Sequence, residues 1–429
     1  MIKSNVGVFF GGRSVEHEIS VISALQAIAA LDTERYRAVP IYITKGGRWF
    51  TGPALLDAAA YRDMAALERR ATEVSMTPAL GSRKLWPVRR PLLGRGRPVA
   101  VLDVALPVFH GTGGEDGTFQ GLLELTGIPY VGCGVLSSAL GMDKIAAKMV
   151  LAACGLPVVE SVWFTDQQWL SGQDALIARV EATLGYPAIV KPANLGSSVG
   201  ISRARSREEF IRAVDEACRY TSRLLVERMI EPLREINCSV VGSADNNTAS
   251  VCEEPVHTDE ILSYADKYMG GGRNADGDSK LRAKSEGAHC GPKGGAKIAS
   301  EGMASVKRRI PADLPTETAD EIRRLASETF RVLDCSGVAR VDFILDEGGG
   351  KTQIYVNEIN AIPGSLSFYL WEATGIPFAQ LLDRLVAGAL KRDRDRSHKT
   401  VSYSDNIFSM GSFGSGAGAK GGTKFGGKK

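Results

Sequence analysis

The chain has 429 residues, of which 44% are hydrophobic and 24% are charged, so it can bury several cores and does not have the composition of a disordered or fibrous protein. Its formal net charge of +3 is too small to indicate nucleic acid or an acidic membrane surface as a partner. The seven cysteines form no CxxC pair, which predicts reduced thiols. The sequence shows no signal peptide and no apolar run long enough to cross a bilayer, which predicts a cytoplasmic protein without membrane insertion.

The chain begins with the pattern of a wound α/β domain. A strand-like run at 6–10 leads through a Gly-Gly-Arg-Ser turn into a helix that ends near residue 31, and a second strand-like run follows at 38–43. Residues 44–97 are less regular, with an Ala-rich helical stretch and then a basic loop. We therefore expect an insertion there that decorates the domain.

A third strand-like run, at 99–109, ends in a glycine-rich turn with acids at 110–117. One helix follows this turn and stops near residue 127, and a second helix is predicted over 138–153. The pattern then changes to short strands, which predicts that the N-terminal domain covers residues 1–154.

Two further lobes of α+β structure are predicted, at 155–235 and 236–392. Their strand-like runs lie at 158–164, 188–190, 200–203, 224–227, 236–241, 337–345 and 353–358, with helices at about 317–333 and up to about 390. Residues 264–305 are rich in Gly, Lys and Ser and are predicted to form a mobile loop, and residues 393–429 a disordered basic tail.

The most specific local pattern is a strand-like run that ends at Lys191 and is followed by a loop rich in glycine and serine, up to Gly200. Backbone N–H groups of such a loop can converge on phosphate oxygens, and Lys191 adds a positive charge at the end of the strand. The Gly-Lys-Ser/Thr ending of a P-loop is missing. Taken alone, a turn of this composition is more often a plain hairpin, so the phosphate-binding interpretation needs other support.

A second signal lies in two later strand-like runs that carry acids. Strand alternation puts Glu358 and Asn360 on one face, and Asp342 comes from the preceding strand. Three oxygen ligands without His or Cys are typical of a Mg²⁺ site that also holds nucleotide phosphates. For this segment alone, acids at strand ends that face solvent are an equally good interpretation.

Both signals, in this order, resemble the ATP-grasp ligases, and over residues 5–390 the chain is similar to the D-alanine–D-alanine ligase family. The resemblance rests on five motifs, at 11–20, 110–117, 141–144, 191–200 and 357–364. It implies an α/β fold class, in which a wound α/β pre-ATP-grasp domain precedes a two-lobed α+β ATP-grasp fold. It also implies that ATP and two Mg²⁺ or Mn²⁺ ions bind, that two D-alanines are joined through an acyl phosphate for peptidoglycan precursor synthesis, and that the chain forms a homodimer.

The resemblance further implies roles for individual residues. The residues expected to contact ATP are Lys144, Lys191, Ser197, Ser198, Glu227, Arg228, Ile230, Glu235 and Lys267. Those expected to bind the metal ions are Asp342, Glu358 and Asn360. By the same resemblance, Glu16 holds the ammonium of the first D-alanine in a hydrogen-bonded set with Ser197 and Tyr268. His110 would lie near this substrate, and Arg340 would stabilise the oxyanion of the tetrahedral intermediate. Without the other motifs, Glu16 would be interpreted as an acid at a helix N-terminus and His110 as a turn residue.

The sequence departs from the family pattern in the pocket for the second substrate. After Gly364 the family carries a serine that receives the carboxylate of this substrate, whereas Tyr369 falls at about that position here. Gly364, Ser367 or Tyr369 is expected to make the contact instead. Tyr268 favours an amine over a hydroxy acid as the nucleophile, and the loop at 270–305 is expected to close over the site and exclude water.

Three alternatives remain open. The first is a related ligase with another D-amino acid or D-lactate as its second substrate. The second is an inactive nucleotide-binding regulator, which is disfavoured because every expected metal ligand and phosphate-binding lysine is present. The third is a polyanion or RNA binder acting through the Gly/Lys tail, which is disfavoured because Phe425 is the only aromatic residue from Gly414 onward.

Overall fold

The computed structural model describes residues 3–89, 96–196, 200–256 and 308–402. Contacts divide the chain into a large compact unit, Met1–Leu390, and a small one, Lys391–Lys429. Several sequence predictions lie outside the described residues: those for Ser197, Ser198, Lys267 and Tyr268, for the loop at 264–305, and for the tail beyond 402.

The first sheet has seven strands in the order β6-β5-β4-β3-β2-β1-β7. Its strands are β1 Ser4–Gly11, β2 Tyr36–Ile43, β3 Trp49–Thr51, β4 Thr72–Met76, β5 Lys84–Pro87, β6 Ala100–Val101 and β7 Val104–Pro107. The strands β2, β1 and β7 are parallel, and β1 is buried along most of its length. A parallel strand that is covered on both faces is expected to be a continuous apolar run, as the sequence of β1 is.

The segment 44–97 is more regular than the sequence predicted. It contributes β3, β4 and β5, which extend the sheet in antiparallel pairs, and two short 3₁₀ helices, Pro53–Leu56 and Ala58–Arg62. These strands are three to five residues long, too short for a clear alternation of apolar and polar residues. The single run predicted at 99–109 is also divided, into β6 and β7, and between them the Asp103 carboxylate accepts the Asn5 N–H at 2.7 Å.

Five helices belong to this part of the chain: α1 His17–Ala30, α2 Met64–Arg70, α3 Thr118–Thr126, α4 Val135–Met142 and α5 Lys144–Ala153. The single helix predicted at 138–153 is wrong, because Asp143 has extended backbone angles and separates α4 from α5. Its carboxylate accepts the Ala146 N–H at 2.9 Å and so caps α5. Lys144 is consequently the first residue of α5.

The second sheet is antiparallel, in the order β10-β9-β11-β8. Its strands are β8 Ser161–Thr165, β9 Ala188–Pro192, β10 Ser202–Ala204 and β11 Arg223–Arg228. Two helices pack on it, α6 Asp166–Thr183 and α7 Arg207–Ala217. The sequence analysis missed both, although α7 buries Phe210, Ala213, Val214 and Ala217 at helical spacing.

The third sheet is antiparallel, in the order β14-β13-β12-β15-β16. Its strands are β12 Arg234–Gly242, β13 Asn247–Pro255, β14 Arg308–Arg309, β15 Gly337–Asp346 and β16 Gln353–Asn360. The domain boundary predicted after residue 235 falls inside β12. Among the described residues, a 3₁₀ helix, Gly364–Ser367, and the α-helices α8 Thr316–Val332, α9 Phe368–Ala373 and α10 Phe378–Ser397 accompany this sheet.

The helix α10 continues past its predicted end near residue 390, to Ser397, into the segment predicted to be disordered. Leu381, Leu382 and Leu385 of α10 belong to the same buried cluster as residues of α1 and β1. This cluster joins the C-terminal part of the compact unit to its first sheet. Among the helices of the described residues, none is long and apolar enough to cross a membrane.

Candidate active site

One cavity is lined by residues of the second and third sheets and by residues that follow β1 and β7 of the first sheet. It brings together most of the described residues to which the sequence analysis gave a role: Glu16, His110, Lys144, Lys191, Glu235, Arg340, Asp342, Glu358, Asn360, Gly364 and Tyr369.

The acids of β15 and β16 form one wall of this cavity. Asp342 and Glu358 are opposite each other in the register of the two strands, and the Asn360 side-chain amide donates to the Asp342 carboxylate at 3.0 Å. Arg340 binds both oxygens of Asp342, at 2.6 and 2.7 Å. Burial and the nearby carboxylates of Glu358 and Glu235 raise the pKa of Asp342, although the Arg340 guanidinium opposes this shift.

The donor set of this wall fits a divalent cation. Two carboxylates and a side-chain amide oxygen are hard ligands of the kind that Mg²⁺ prefers, and a cation would offset the cost of a buried, ionised Asp342. Arg340 holds the Asp342 oxygens in the present arrangement. In the described part of the chain no group of three or more His, Cys, Asp and Glu side chains forms a metal cluster, so Asn360 is needed to complete a set of three.

Two lysines face this wall. The Lys144 ammonium at the start of α5 lies 3.2 Å from the Glu358 carboxylate and donates to the Leu195 carbonyl at 2.9 Å. Lys191 on β9 donates to the Asn357 side-chain oxygen at 3.2 Å. The two ammonium groups therefore approach the same end of β16, where they can bind the oxygens of a phosphate.

Glu227 does not line the cavity, unlike the other acids with a predicted role. It is 1% exposed, and its two oxygens contact Lys148 at 2.6 Å and Lys191 at 2.5 Å. Although burial alone would raise it, the two ammonium groups lower the pKa of Glu227 to about 2. Lys148 was not singled out in the sequence, where its only signal is a charged residue within the buried stripe of α5.

Arg228, Ile230 and Ser367 also lie outside the cavity lining. The Arg228 guanidinium faces the Asp346 carboxylate at 3.4 Å, and Ile230 packs against Val159 and Ile344. Ser367 is fully buried beside the cavity and has a positive φ of 52°.

An apolar part of the wall was not recognised in the sequence. It consists of Met142, Ile189, Ile201, Leu233 and Ile344, which come from separate elements. Glu235 lies at the same cavity. A flat aromatic base can bury its faces against such a surface.

On the side of the first sheet, the hydrogen bonds of His110 favour the tautomer that carries its proton on Nδ1. Its Nδ1–H donates to the Ile362 carbonyl at 3.0 Å, and its Nε2 accepts the Ser23 hydroxyl at 2.9 Å. Ser23 in turn accepts the Ser365 N–H at 3.0 Å. Burial lowers the pKa of His110, so the ring is neutral in this network.

Glu115 holds the other side of Ile362. One oxygen of its carboxylate accepts the Ile362 N–H at 2.9 Å, and the other accepts the Gly111 N–H at 2.7 Å. Burial, together with the nearby Glu16 carboxylate, raises the pKa of Glu115 to about 8. The sequence analysis included Glu115 in a motif without giving it a role, because only the fold brings the Ile362 backbone next to it.

The carboxylate of Glu16 is packed between two glycines. A Cβ added at Gly196 or Gly111 would lie 3.0 or 3.1 Å from a Glu16 oxygen. A side chain at either position would require the carboxylate to move by a few tenths of an ångström, and at Gly111 the φ of +78° also favours glycine. Glu16 is 8% exposed and lines the cavity next to His110.

A polar group that the sequence did not reveal forms the wall around Tyr369. The Glu253 carboxylate accepts the Asn237 amide at 2.9 Å and the Tyr369 hydroxyl at 3.1 Å. The Arg308 guanidinium lies over the Tyr369 ring, 4.3 Å from its centroid, and 3.5 Å from Glu253. The sequence analysis predicted neither β13 nor β14, which carry Glu253 and Arg308, and so could not place them.

Family models cover nearly the whole compact unit. A model described as the D-ala D-ala ligase N-terminus matches residues 5–133, and one described as the D-ala D-ala ligase C-terminus matches residues 150–288 and 297–387. The chain belongs to the D-alanine–D-alanine ligase family.

Sequence relatives agree with this assignment along the full length. A D-alanine–D-alanine ligase from Thermosipho melanesiensis is 37% identical, with 95% of this chain and 98% of the relative covered. One from Heliobacterium modesticaldum is 40% identical, with 94% and 98% covered.

Solved structures of ligases have the same fold. The D-alanine–D-alanine ligase from Coxiella burnetii is 31% identical with a TM-score of 0.70, and 92% of this chain and 96% of that chain are covered. The D-Ala:D-Ser ligase VanG from Enterococcus faecalis is 28% identical with a TM-score of 0.71, and 90% and 100% are covered. These likenesses confirm the family and the α/β fold with an ATP-grasp part that the sequence predicted.

Proposed function

We propose that this ligase joins two D-alanines into D-alanyl-D-alanine, with ATP as the energy source, for peptidoglycan precursor synthesis. The observation that carries the proposal is the cavity itself. It combines the acids Asp342 and Glu358, the lysines Lys144 and Lys191, and the separate carboxylate of Glu16. The full-length likeness to proteins named D-alanine–D-alanine ligase supports the same reaction.

The reaction consists of two group transfers. A carboxylate oxygen of the first D-alanine attacks the γ-phosphorus of ATP, which forms an acyl phosphate and releases ADP. The amine of the second D-alanine then attacks the acyl carbon, loses a proton, and expels inorganic phosphate with the bridging oxygen. Lys144 and Lys191 neutralise the charge on the phosphate oxygens, and Arg340 stabilises the oxyanion on the acyl carbon.

Membership of the family implies ATP and a divalent metal. More specifically, we propose that Asp342, Glu358 and Asn360 would hold two Mg²⁺ or Mn²⁺ ions. Bound there, the ions supply positive charge to the oxygens of the ATP phosphates. This is supported by the oxygen donor set on two adjacent strands.

The substrates are assigned to different parts of the cavity. Glu16, with Ser197 and Tyr268, binds the ammonium of the first D-alanine, close to His110. The base of ATP lies against the apolar wall, with its ribose at Glu235, its base near the backbone of Arg228 and Ile230, and its phosphates also contacted by Ser198 and Lys267. Glu227 acts from outside the cavity, by holding Lys191 in place.

Four further features of the molecule are part of the proposal. The ligase acts in the cytoplasm, forms a homodimer and does not bind nucleic acid. The chain is divided into an N-terminal substrate domain, residues 1–154, and two ATP-grasp lobes, residues 155–235 and 236–392.

The wall around Tyr369 favours one alternative, a different second substrate. Tyr369 is hydrogen-bonded to Glu253, and Gly364 lies at the same cavity while Ser367 does not. A D-Ala:D-Ser ligase is among the proteins with this fold. D-serine is therefore the first competitor to compare with D-alanine as the amine substrate.

The direct test mixes the purified protein with ATP, Mg²⁺ and D-alanine and measures phosphate and dipeptide. We expect equal amounts of phosphate and D-alanyl-D-alanine, and neither product from Asp342→Ala. Asp320→Ala on the exposed face of α8 is the matched control and is expected to retain activity. Phosphate without dipeptide would favour another second substrate, and no product at all would contradict the proposed function.

A further inference from the structure

The cavity contains a second guanidinium, that of Arg308, besides Arg340. Arg308 is on β14, its side chain is 14% exposed, and it lines the cavity together with Glu253 and Tyr369. The Tyr369 ring supports its flat face at 4.3 Å, and the Glu253 carboxylate lies 3.5 Å from one of its terminal nitrogens. A positive charge is thus held at a defined place in the wall.

The group that holds Arg308 is itself fixed from several sides. Glu253 is 2% exposed and accepts hydrogen bonds from Asn237 on β12 and Tyr369 on α9. Because the Tyr369 hydroxyl donates to Glu253, Tyr369 supports the arginine rather than binding a ligand with its oxygen. The three side chains come from three different elements, which makes the position of the guanidinium a property of the fold.

In the proposed function, the other charged end of the cavity holds the ATP phosphates and the carboxylate of the first D-alanine, so the carboxylate of the second substrate needs another place to bind. Asp342 and Glu358 are located there, opposite each other on β15 and β16. Its cations lie closer to acids than Arg308 does. Lys144 is 3.2 Å from Glu358 and Arg340 is 2.6 and 2.7 Å from the oxygens of Asp342, whereas Arg308 is 3.5 Å from Glu253.

We propose that Arg308 binds the α-carboxylate of the second amino acid substrate and thereby selects amino acids over amines without a carboxylate. This inference rests on the proposed ligase function. A guanidinium presents five N–H donors in a planar fork, so one arginine can contact Glu253 and a substrate carboxylate together. Glu253 and Tyr369 are positioning residues in this arrangement.

The test lets two amines compete for the same acyl phosphate. The enzyme is supplied with ATP, Mg²⁺, D-alanine and D-alaninamide, and the products D-alanyl-D-alanine and D-alanyl-D-alaninamide are measured by mass spectrometry. Their ratio reports the second-substrate step alone, because both products arise from one intermediate. The wild-type ratio provides the reference for the different reactivity of the two amines.

We expect Arg308→Met to lower the ratio of acid to amide product by about 10- to 100-fold, since a charge-assisted hydrogen bond to the carboxylate is lost. Arg308→Lys, which keeps the charge but not the fork, should lower the ratio less and tests the proposal even if Arg308→Met fails to fold. The matched control is Arg309→Met, which changes the adjacent exposed arginine paired with Glu254 and should leave the ratio unchanged.

An unchanged product ratio in Arg308→Met, or in Arg308→Lys if only that variant folds, would overturn the inference and leave the proposed function intact. A wild-type enzyme that releases no peptide product from D-alanine would overturn the proposed function, and the inference with it.

Discussion

Glu227 lies between the ammonium groups of Lys148 and Lys191, and its negative charge holds the Lys191 side chain in position. The Lys148, Glu227 and Lys191 side chains are all nearly inaccessible to solvent. Removing one partner from a buried ion pair leaves a charge without compensation, which costs far more than the pair contributes over an apolar replacement. Glu227 is therefore more important to the site than its position outside the cavity suggests.

The substitution Glu227→Gln is expected to lower the free energy of unfolding by about 3–5 kcal/mol, because it leaves two buried lysines without their carboxylate. Urea denaturation of both proteins measures this. Glu181→Gln is the control, since Glu181 forms an exposed pair with Arg207 and its loss should have little effect. Equal stability of Glu227→Gln and wild type would contradict the account.

The lowered pKa of Glu227 adds a pH dependence with a definite sign. Its carboxylate is ionised in the folded state down to about pH 2, whereas the ordinary value is 4.5. The stabilisation is present above pH 4.5 and is lost as the pH falls toward 2.

From the sequence alone, motifs in a recognisable order predicted that Lys191, Asp342 and Glu358 belong to one site, and in the structure all three line the same cavity. It could not predict Glu115, Glu253 or Arg308, because their partners come from other elements. Ile362, for example, is hydrogen-bonded to Glu115 across 247 positions of the chain. No local pattern contains that information.

At the scale of elements, the break between α4 and α5 positions Lys144, which we propose to bind the ATP phosphates. Asp143 caps α5, its carboxylate pairs with Arg223, and the Lys144 N–H donates to the Ala193 carbonyl at 2.8 Å. The start of the helix is thus attached to the second sheet, next to the loop that follows Lys191.

Asp143→Ala should lower stability by about 1 kcal/mol and also raise the KM for ATP several-fold, because the first turn that carries Lys144 frays. Thermal unfolding and initial rates at varied ATP concentration measure the two effects. The matched control is Asp63→Ala, which removes the equivalent cap of α2, where Asp63 accepts the Ala66 N–H at 2.9 Å. An unchanged KM in Asp143→Ala would show that the cap does not position the lysine.

The turn at 110–115 is hydrogen-bonded to both backbone groups of Ile362. His110 donates to its carbonyl, and Glu115 accepts its N–H. Because the pKa of Glu115 is raised to about 8, the folded state keeps a proton that the unfolded state loses above about pH 4.5. Stability should therefore fall as the pH rises from 4.5 to 8, and change no further from this group above pH 8.

Glu115→Gln is expected to remove the loss of stability that the retained proton of Glu115 causes between pH 4.5 and pH 8. Melting temperatures measured at pH 5 and pH 8 would show this as a smaller difference in the variant than in the wild type. Glu208→Gln, at an exposed acid near the start of α7, should retain the wild-type difference between the two pH values. If the melting temperature of Glu115→Gln fell between pH 5 and pH 8 as much as that of wild type, the proposed hydrogen bonding of a protonated Glu115 to Ile362 would be contradicted.

Elements with long apolar periodicity were predictable, as β1, β15 and α8 were. The strands β3 to β6 were not predicted correctly, because each has only two to five residues and depends on its neighbour in the sheet. The division of the predicted helix at Asp143 is a capping effect, and Asp was a visible signal for it.

At the scale of the whole molecule, the cavity exists only because three sheets meet. Glu16 and the turn at 110–115 follow strands β1 and β7 of the first sheet, whereas Lys191 is on the second sheet and the acids and Arg308 are on the third. The packing of α10 with α1 and β1 ties the last part of the compact unit to the first. Acyl transfer in such a site depends on placing two substrates and ATP together.

The central claim is that ATP activates one D-alanine as an acyl phosphate. The most direct measurement uses D-alanine with both carboxylate oxygens labelled with ¹⁸O, and determines the label in phosphate and dipeptide by mass spectrometry. The account predicts that each phosphate released carries one ¹⁸O and that each dipeptide retains the other three. Dipeptide formation with unlabelled phosphate would contradict it, because the carboxylate oxygen would then never have been bonded to phosphorus.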